Sequence, residues 1–377
     1  MWNYHSLHRL DFRTIPILLG LIIMSLLVIS ATTDLSHIGG ANTFLTPFVK
    51  NQMQWFAIGT IAYLFFAGID YHKLRNWSWM IYITTILLLI GLFLTGSIHH
   101  VHRWYRIPLL GIMVQPSDYA KLSLVITLSA LLEKKGRGAA SLETFVHASI
   151  IALIPFFLIL KQPDLGSALV LFPMTLGMFY FGGVHPKVIK VMSACGIGAL
   201  FLVTLIFLEV VPHQEIKKVA TTVLKEYQFA RFDPNTYHHH AAQTAIALGG
   251  YTGSGWKQSQ FTGRDFLPAG HTDSVFPAFT EEFGLIGAFF MLLLFFGLIY
   301  CSFQVTAVAR DHFGRVLSAG ITMYLVVHVV INIGMMCGFL PITGVPLLLI
   351  SYGGSSVLST MSALGILQSV YTRRFMF

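Results

Sequence analysis

The stretch GSGWKQSQFTGRDFLPAGHTDSVFPAFTEEFGLIG, residues 253–287, decides how this chain is read. Its first half crowds Lys257, Arg264, Asp265, His271 and Asp273 together. Its second half sets Glu281 and Glu282 at the head of an apolar run that continues AFFMLLLFFGLIY to residue 300. A helix needs roughly 20 apolar residues to cross a bilayer, so this polar segment lies where a spanning helix meets water. A carboxylate at the mouth of a membrane bundle suits chemistry on a polar head group whose lipid tail stays in the bilayer.

Outward from that stretch the sequence is of bilayer grade. Of 377 residues, 55% are hydrophobic and 11% charged, whereas soluble domains carry about 25% charged residues. Ten runs suit spans, at about 15–31, 52–68, 77–95, 115–132, 145–160, 165–183, 188–211, 276–304, 316–337 and 346–370. The short apolar alternation of a barrel is absent, so the spans are expected to be helices, whose backbone groups are satisfied within each segment. The expected fold is an all-α integral membrane protein of about ten transmembrane helices. One polytopic domain covers residues 1–377, with a large extracellular loop, residues 212–275, between helices 7 and 8. The first span, behind Arg9 and Arg13, resembles a secretory signal, but its apolar run exceeds the usual ~7–15 residues and it reads as retained. Cys195, Cys301 and Cys337 fall inside spans and read as small hydrophobes without a disulfide framework.

The formal net charge of +8 invites a nucleic-acid reading, but the basic residues form no stripe, and no nucleic-acid partner is expected. They follow the positive-inside rule instead. With a cytoplasmic N-terminus, inside loops hold thirteen Lys and Arg, short outside loops hold four, the long loop holds six, and Lys121 lies within a span. Both termini are therefore expected in the cytoplasm and the long loop outside. Within that loop, HQEIKKVATTVLKEYQFARF (213–232) has the spacing of an interfacial amphipathic helix. FDPN (232–235) signals a turn, and a second helical stretch is expected near AAQTAIAL. Gly249, Gly250, Gly253 and Gly255 then suggest a flexible lead to Asp273. His238, His239 and His240 read as a solvated loop cluster in preference to a metal site.

Asp273 is the first candidate for chemistry. A helix cap is an equal reading, because Asp just before a helix accepts backbone N–H bonds and Pro277 suits a first turn. As a general base, an ionised carboxylate there would take a proton from an attacking hydroxyl. Glu281 and Glu282 in the first turns suit the helix dipole or the rim of the site. His271, Thr272 and Glu281 complete the candidate substrate contacts around Asp273. Asp118 and Lys121, in VQPSDYAKL, share a helical face. Ionisable groups at membrane depth usually line a cavity, which favours a phosphate-neutralising Lys121 positioned by Asp118. In HRWYR (102–106), Arg103 reads as a phosphate clamp with Trp104 packing on sugar or lipid; an aromatic interface belt is the bland alternative. Asp164, in KQPDLGSAL, reads first as a cap and second as part of the same outer cavity. Asn332 and ISYGGSSV (350–357) read as packing, and GFLPITGVP (338–346) as a tight outer turn.

Taken in order, QPSDYAK (115–121), QPDLGSAL (162–169), GSGW (253–256), FLPAGHTD (266–273), EEFGLIG (281–287), NIGMMCGFLPITGVPL (332–347) and ISYGGSS (350–356) resemble the SEDS family of cell shape and division proteins. The match covers most of the chain, and the short N-terminus is more like the RodA branch than the FtsW branch. The resemblance implies ten transmembrane helices, a peptidoglycan glycosyltransferase that polymerises lipid II during cell elongation, and a class B penicillin-binding protein within the elongation machinery as partner. It implies the bacterial inner membrane, with an extracytoplasmic active site. It makes Asp273 the essential acid and carries family positions onto Arg103, Trp104, Asp118 and Lys121. This chain departs from the family at Asp118, where Glu is usual, and at Ala269, where a carboxylate is missing.

The resulting expectation is that Asp273 deprotonates an acceptor sugar hydroxyl, which displaces undecaprenyl pyrophosphate from the donor with inversion. The departing charge calls for cations, supplied by Lys121 and Arg103 or by a divalent ion, Mg²⁺ or Mn²⁺, although no metal motif is visible. The rival is a lipid II flippase. Transporters favour midplane sites and inverted repeats, whereas the acids here gather at the outer rim. An inert scaffold would leave Asp118 and Lys121 as unexplained costs.

Overall fold

The computed structural model describes residues 9–33, 44–94, 103–107, 112–207, 233 and 236–375. In chain order the elements are α1 (Thr14–Thr32), α2 (Pro47–Gly68), α3 (His72–Gly91), β1 (Tyr105–Ile107), β2 (Ile112–Val114), α4 (Pro116–Lys135), α5 (Leu142–Lys161), α6 (Leu165–Phe181), α7 (Pro186–Phe207), α8 (Tyr237–Gly249), α9 (Val275–Val308), α10 (His312–Met336) and α11 (Gly354–Thr372). The expected interfacial helix at 213–232 lies outside the described residues. The stretch near AAQTAIAL is α8, as its spacing predicts.

A helix occupies each of the ten expected spans. Six of them, α1, α3, α5, α7, α9 and α10, are long and apolar enough to cross a membrane by length and composition. The other four are shorter (α6) or richer in polar residues (α2, α4, α11). The starts of α2, α5, α6 and α10 are chemically marked. Thr46, Ser141, Asp164 and Asp311 each accept a backbone N–H three residues ahead, at 3.1–3.3 Å. The α10 helix forms the centre, packed by α4, α6, α9 and α11. The α7 helix stands at the edge: no residue of its most apolar window is buried, and among the described residues its main contact is with α6. The β1–β2 hairpin adds a small antiparallel pair to the all-α expectation, with Tyr105 opposite Val114.

Two departures from regular helix shape the functional end. The last span begins at Gly354, not near 346. The apolar residues Leu347, Leu348, Leu349 and Ile350 are fully buried yet non-helical. Irregular backbone at membrane depth survives only where protein satisfies its polar groups. Here Ser25 Oγ donates to the Ile350 carbonyl (2.8 Å), while Gln52 donates to the Ser351 carbonyl and accepts from Gly353 N–H, both at 3.3 Å.

The second departure is a break in α9 at Gly284 (φ 65°, ψ −167°), a conformation essentially reserved for glycine. The glycine segment expected to be flexible is instead built into this break. Ser254 and Gly255 donate to the carbonyls of Glu281 and Glu282 (2.9 and 3.0 Å), and Leu285 and Ile286 donate to those of Gly250 and Tyr251 (2.9 and 3.2 Å). A methyl on Gly284 would lie 2.4 Å from Gly253 N, so the two segments meet through glycine. The backbone groups freed by the break are thus paired.

Candidate active site

Asp273 sits on the last turn of the loop before α9, half-buried, and Ser274 takes the N-cap position. The carbonyls of three successive residues are gripped from the C-terminal third of the chain. Tyr352 N–H donates to His271 (2.8 Å), Ser351 Oγ to Thr272 (2.7 Å) and Asn332 Nδ2 to Asp273 (3.0 Å). Asn332 also donates to the Val345 carbonyl at 2.7 Å. Gly344 (φ 78°) lies against the carboxylate, where a methyl would stand 3.3 Å from Asp273 Oδ2. The His271 ring packs 5.2 Å from Phe48 and 6.0 Å from Tyr352. Burial holds its imidazole below the usual histidine range, which keeps it neutral at pH 7. Thr272 closes the turn, its N–H and hydroxyl donating to the Ala269 carbonyl.

Asn332 and the SYGGSS stretch, read as packing, therefore position the acid. A buried amide in an apolar helix is the signal that marks Asn332. The positive φ and close approach at Gly344 carry no mark that a single sequence shows.

Asp118, Lys121 and Asp164 form a second group beside the first. Lys121 points inward as expected, but it is 1% exposed and its amine is committed. Nζ lies 2.9 Å from Asp118 Oδ1 and 3.1 Å from His328 Nε2, and the Tyr324 ring is 5.8 Å away. The expected open cation for a phosphate is instead a buried ion pair within α4, which His328 joins from α10. Removing either partner would leave the other charge uncompensated. Sequence reasoning passed over His328, although an imidazole amid apolar α10 residues is the same kind of signal. Asp164 caps α6, as its bland reading predicts, and also accepts from Gln115 Nε2 (3.0 Å) and Ser117 Oγ (3.4 Å). The two groups abut through residues 343–345: a methyl on Gly166 would lie 2.6 Å from the Thr343 carbonyl, and Gly344 faces Asp273.

Arg103 does not present a free clamp. Its guanidinium donates to the carbonyls of Gln162 and Pro163, tying the hairpin to the residues before Asp164. Trp104 is half-buried on the same loop. Glu281, expected at the substrate rim, is 2% exposed. Its carboxylate accepts from the N–H groups of Phe261 (2.9 Å) and Thr262 (3.0 Å) and from the Thr262 hydroxyl. Glu282 accepts from Lys257 N–H and Ser259 Oγ, both at 2.8 Å. The acid pair therefore holds the 257–262 loop. The histidine cluster is not a solvated loop either. It forms the first turn of α8, where His239 is 2% exposed and His238 Nε2 lies 2.7 Å from Ser274 Oγ. Among the described residues, no three His, Cys, Asp or Glu side chains gather in a way that would hold a metal ion.

The model of the FtsW/RodA/SpoVE family, described as cell cycle protein, matches residues 12–375. The chain belongs to this family. It is similar to the peptidoglycan glycosyltransferase MrdB of Escherichia coli K12, with 31% identity covering 98% of this chain and 95% of that one. It is also 32% identical to the probable peptidoglycan glycosyltransferase FtsW of Geobacter metallireducens, over 86% of this chain and 85% of that one. Among solved structures, RodA of Thermus thermophilus superposes with a TM-score of 0.70 at 23% identity, covering 98% of each chain. A chain from a study of polymerization and crosslinking by a peptidoglycan synthase complex superposes with a TM-score of 0.76 at 24% identity, over 98% of this chain and 99% of that one. This member of the FtsW/RodA/SpoVE family is thus a multi-pass membrane protein of RodA-like fold, with the backbone carbonyls of its HTD stretch held by three residues from two later segments.

Proposed function

We infer that the chain is a peptidoglycan glycosyltransferase that polymerises lipid II. The observation that carries the reading is the fixed station of Asp273: a half-buried carboxylate whose loop is pinned through three consecutive carbonyls, in a chain related over nearly its full length to enzymes of that name. In the proposed reaction Asp273 takes the proton from the acceptor's C4 hydroxyl as the oxygen attacks the donor's anomeric carbon. The bond to the lipid pyrophosphate breaks with inversion, and the pyrophosphate leaves with the bonding pair. A rigid base lowers the barrier by fixing approach geometry before reaction.

Arg103, Lys121 and Asp118 support the site by positioning, since their charges are engaged within the protein. A divalent cation carried by the substrate's phosphates would then supply the positive charge at the leaving group, leaving Asp273 free to act as base. Titrating Mg²⁺ or Mn²⁺ into EDTA-treated protein tests that part. The proposed setting is the bacterial inner membrane, with both termini cytoplasmic, the Asp273 loop outside, and a class B penicillin-binding protein of the elongation machinery as crosslinking partner.

The deciding experiment supplies lipid II to purified protein, with and without that partner, and resolves glycan chains by electrophoresis. Wild type is expected to make polymer. Asp273→Asn is expected to make none, with unchanged melting and partner binding. Lipid movement without polymer would establish the flippase instead.

A further inference from the structure

A second cavity lies away from the Asp273 carboxylate. It measures about 500 Å³ and opens between the end of α8, the 254–266 loop and the first turns of α9. That volume is in the range of small-molecule sites, roughly 300–1,000 Å³. Its chemistry is mixed in a particular way. Gln258 and Gln260 offer neutral amides, Arg264 offers a guanidinium, and Phe261, Phe266 and Leu248 offer apolar faces. The two phenyl rings stand 5.5 Å apart at 36°. Phe266 is 48% and Leu248 56% exposed, so apolar surface is left open at the edge of a polar hollow. Among the described residues, the Arg264 side chain makes no hydrogen bond or ion pair.

The walls are rigid for reasons independent of any ligand. Glu281 lies behind them, but its oxygens are taken up by Phe261 and Thr262, part of the wall itself. Ser259 is tied to Glu282, and the Tyr237 hydroxyl donates to the Phe266 carbonyl at 2.7 Å. The next residue of α8, His238, reaches Ser274 beside the acid, so the same turn of α8 braces the cavity wall and the catalytic loop.

We propose that this cavity is a binding site for an amino-sugar glycan bearing carboxylates, distinct from the reacting centre. Aromatic faces pack on sugar rings, the two amides meet hydroxyl and N-acetyl groups, and the arginine forks onto a carboxylate. The proposal rests on the polymerase reading for the source of the ligand: a strand leaving Asp273 is such a glycan. Its role is to retain the strand between additions.

The test uses full-length protein carrying Asp273→Asn, so that nothing turns over. Binding is measured by calorimetry with a soluble tetrasaccharide of N-acetylated amino sugars whose lactyl groups carry peptide stems with free carboxylates. Parallel titrations use the uncharged chitotetraose and an acidic peptide without sugar. Arg264→Ala is expected to weaken the carboxylated glycan about five- to tenfold, the worth of one charge-assisted contact. The same change should leave chitotetraose unaffected. Arg264→Lys should fall between, because the charge remains and the fork is lost. Gln258→Ala with Gln260→Ala should weaken both glycans. Melting curves check that these surface changes leave folding intact. In an Asp273-intact background, Arg264→Ala is expected to shorten the polymer while the initial rate holds. Equal affinity with and without Arg264, or full competition by the acidic peptide, would overturn the proposal, the latter by making the cavity a protein-docking site. If wild type makes no polymer, the functional reading fails while the binding result stands. If polymer forms but Arg264→Ala changes neither affinity nor chain length, only this proposal fails.

Discussion

Asn332 is the residue whose chemistry does most for its size. One side-chain amide holds the Asp273 carbonyl and the Val345 carbonyl together, and Val345 neighbours the glycine that faces the acid. Asn332→Asp keeps the shape and removes both donors, setting a carboxylate against two carbonyl oxygens. Each buried acceptor left unsatisfied costs about 1–3 kcal/mol. The expected outcome is a lower melting temperature and at least a tenfold loss of polymerisation, about 1.4 kcal/mol at the transition state. Wild-type rates in this variant would show that the grip on Asp273 is irrelevant to turnover. The acid itself was legible from its motif and its place before an apolar run. Its holders were less so: the amide in an apolar helix marks Asn332 but not its target, and a Ser-Tyr pair in a glycine-rich tract looks like packing until the partners, 59 to 81 residues away in sequence, are seen.

At the scale of elements, the broken α9 and the buried ion pair of α4 carry the argument. Gly284 adopts a conformation closed to other residues, and its α-carbon meets the Gly253 backbone. Gly284→Ala is expected to cost about 3 kcal/mol or more by strain and clash together. It should also release the 250–262 segment, read as faster hydrogen exchange at residues 254–262 with the α10 amides unchanged. The periodicity of α9 gave no hint of the break, since EEFGLIG continues an apolar helix pattern and glycine is common in membrane helices.

The Lys121–Asp118 pair behaves differently. Breaking a buried pair by removing one partner typically costs about 3–5 kcal/mol, while replacing both is far milder. Lys121→Met and Asp118→Asn are each expected to depress the melting temperature strongly, and the double variant to recover much of the loss. Additive losses would mean the two charges do not depend on each other. The inward direction of both side chains was legible from their i, i+3 spacing at membrane depth; their mutual commitment was not, because His328 arrives from 207 residues away.

For the whole molecule, helices at the ten expected spans were legible, and six of them carry the length and apolarity that crossing a bilayer demands and that composition displays directly. The non-helical residues 347–353 were not legible, because LLLI in a protein interior reads the same in either conformation. The segment from α8 to the start of α9 is also expected to give the molecule a pH dependence. Burial, with His238 and His240 alongside, lowers the His239 imidazole to about 4, and burial lowers His238 and His271 as well. In the unfolded chain these groups titrate near ~6.5. Between those values the unfolded state binds protons that the folded state refuses. Stability is therefore complete above about pH 6.5 and declines as the pH falls towards 4. His239 alone is expected to account for about 1–2 kcal/mol by pH 5. Melts of the purified protein at pH 7 and pH 5 should show the drop, and His239→Gln should reduce it. A melting temperature independent of pH over that interval would rule the effect out.

The clasp on residues 271–273 has one more consequence. It takes hold of oxygen atoms that every amino acid possesses, and ignores the side chains attached to them. Substitutions at His271 or Thr272 should therefore retune what surrounds the acid without relocating it. On the gripping side the donors at 332 and 351 are side chains and depend on the residue present, whereas the Tyr352 N–H would survive any change except proline.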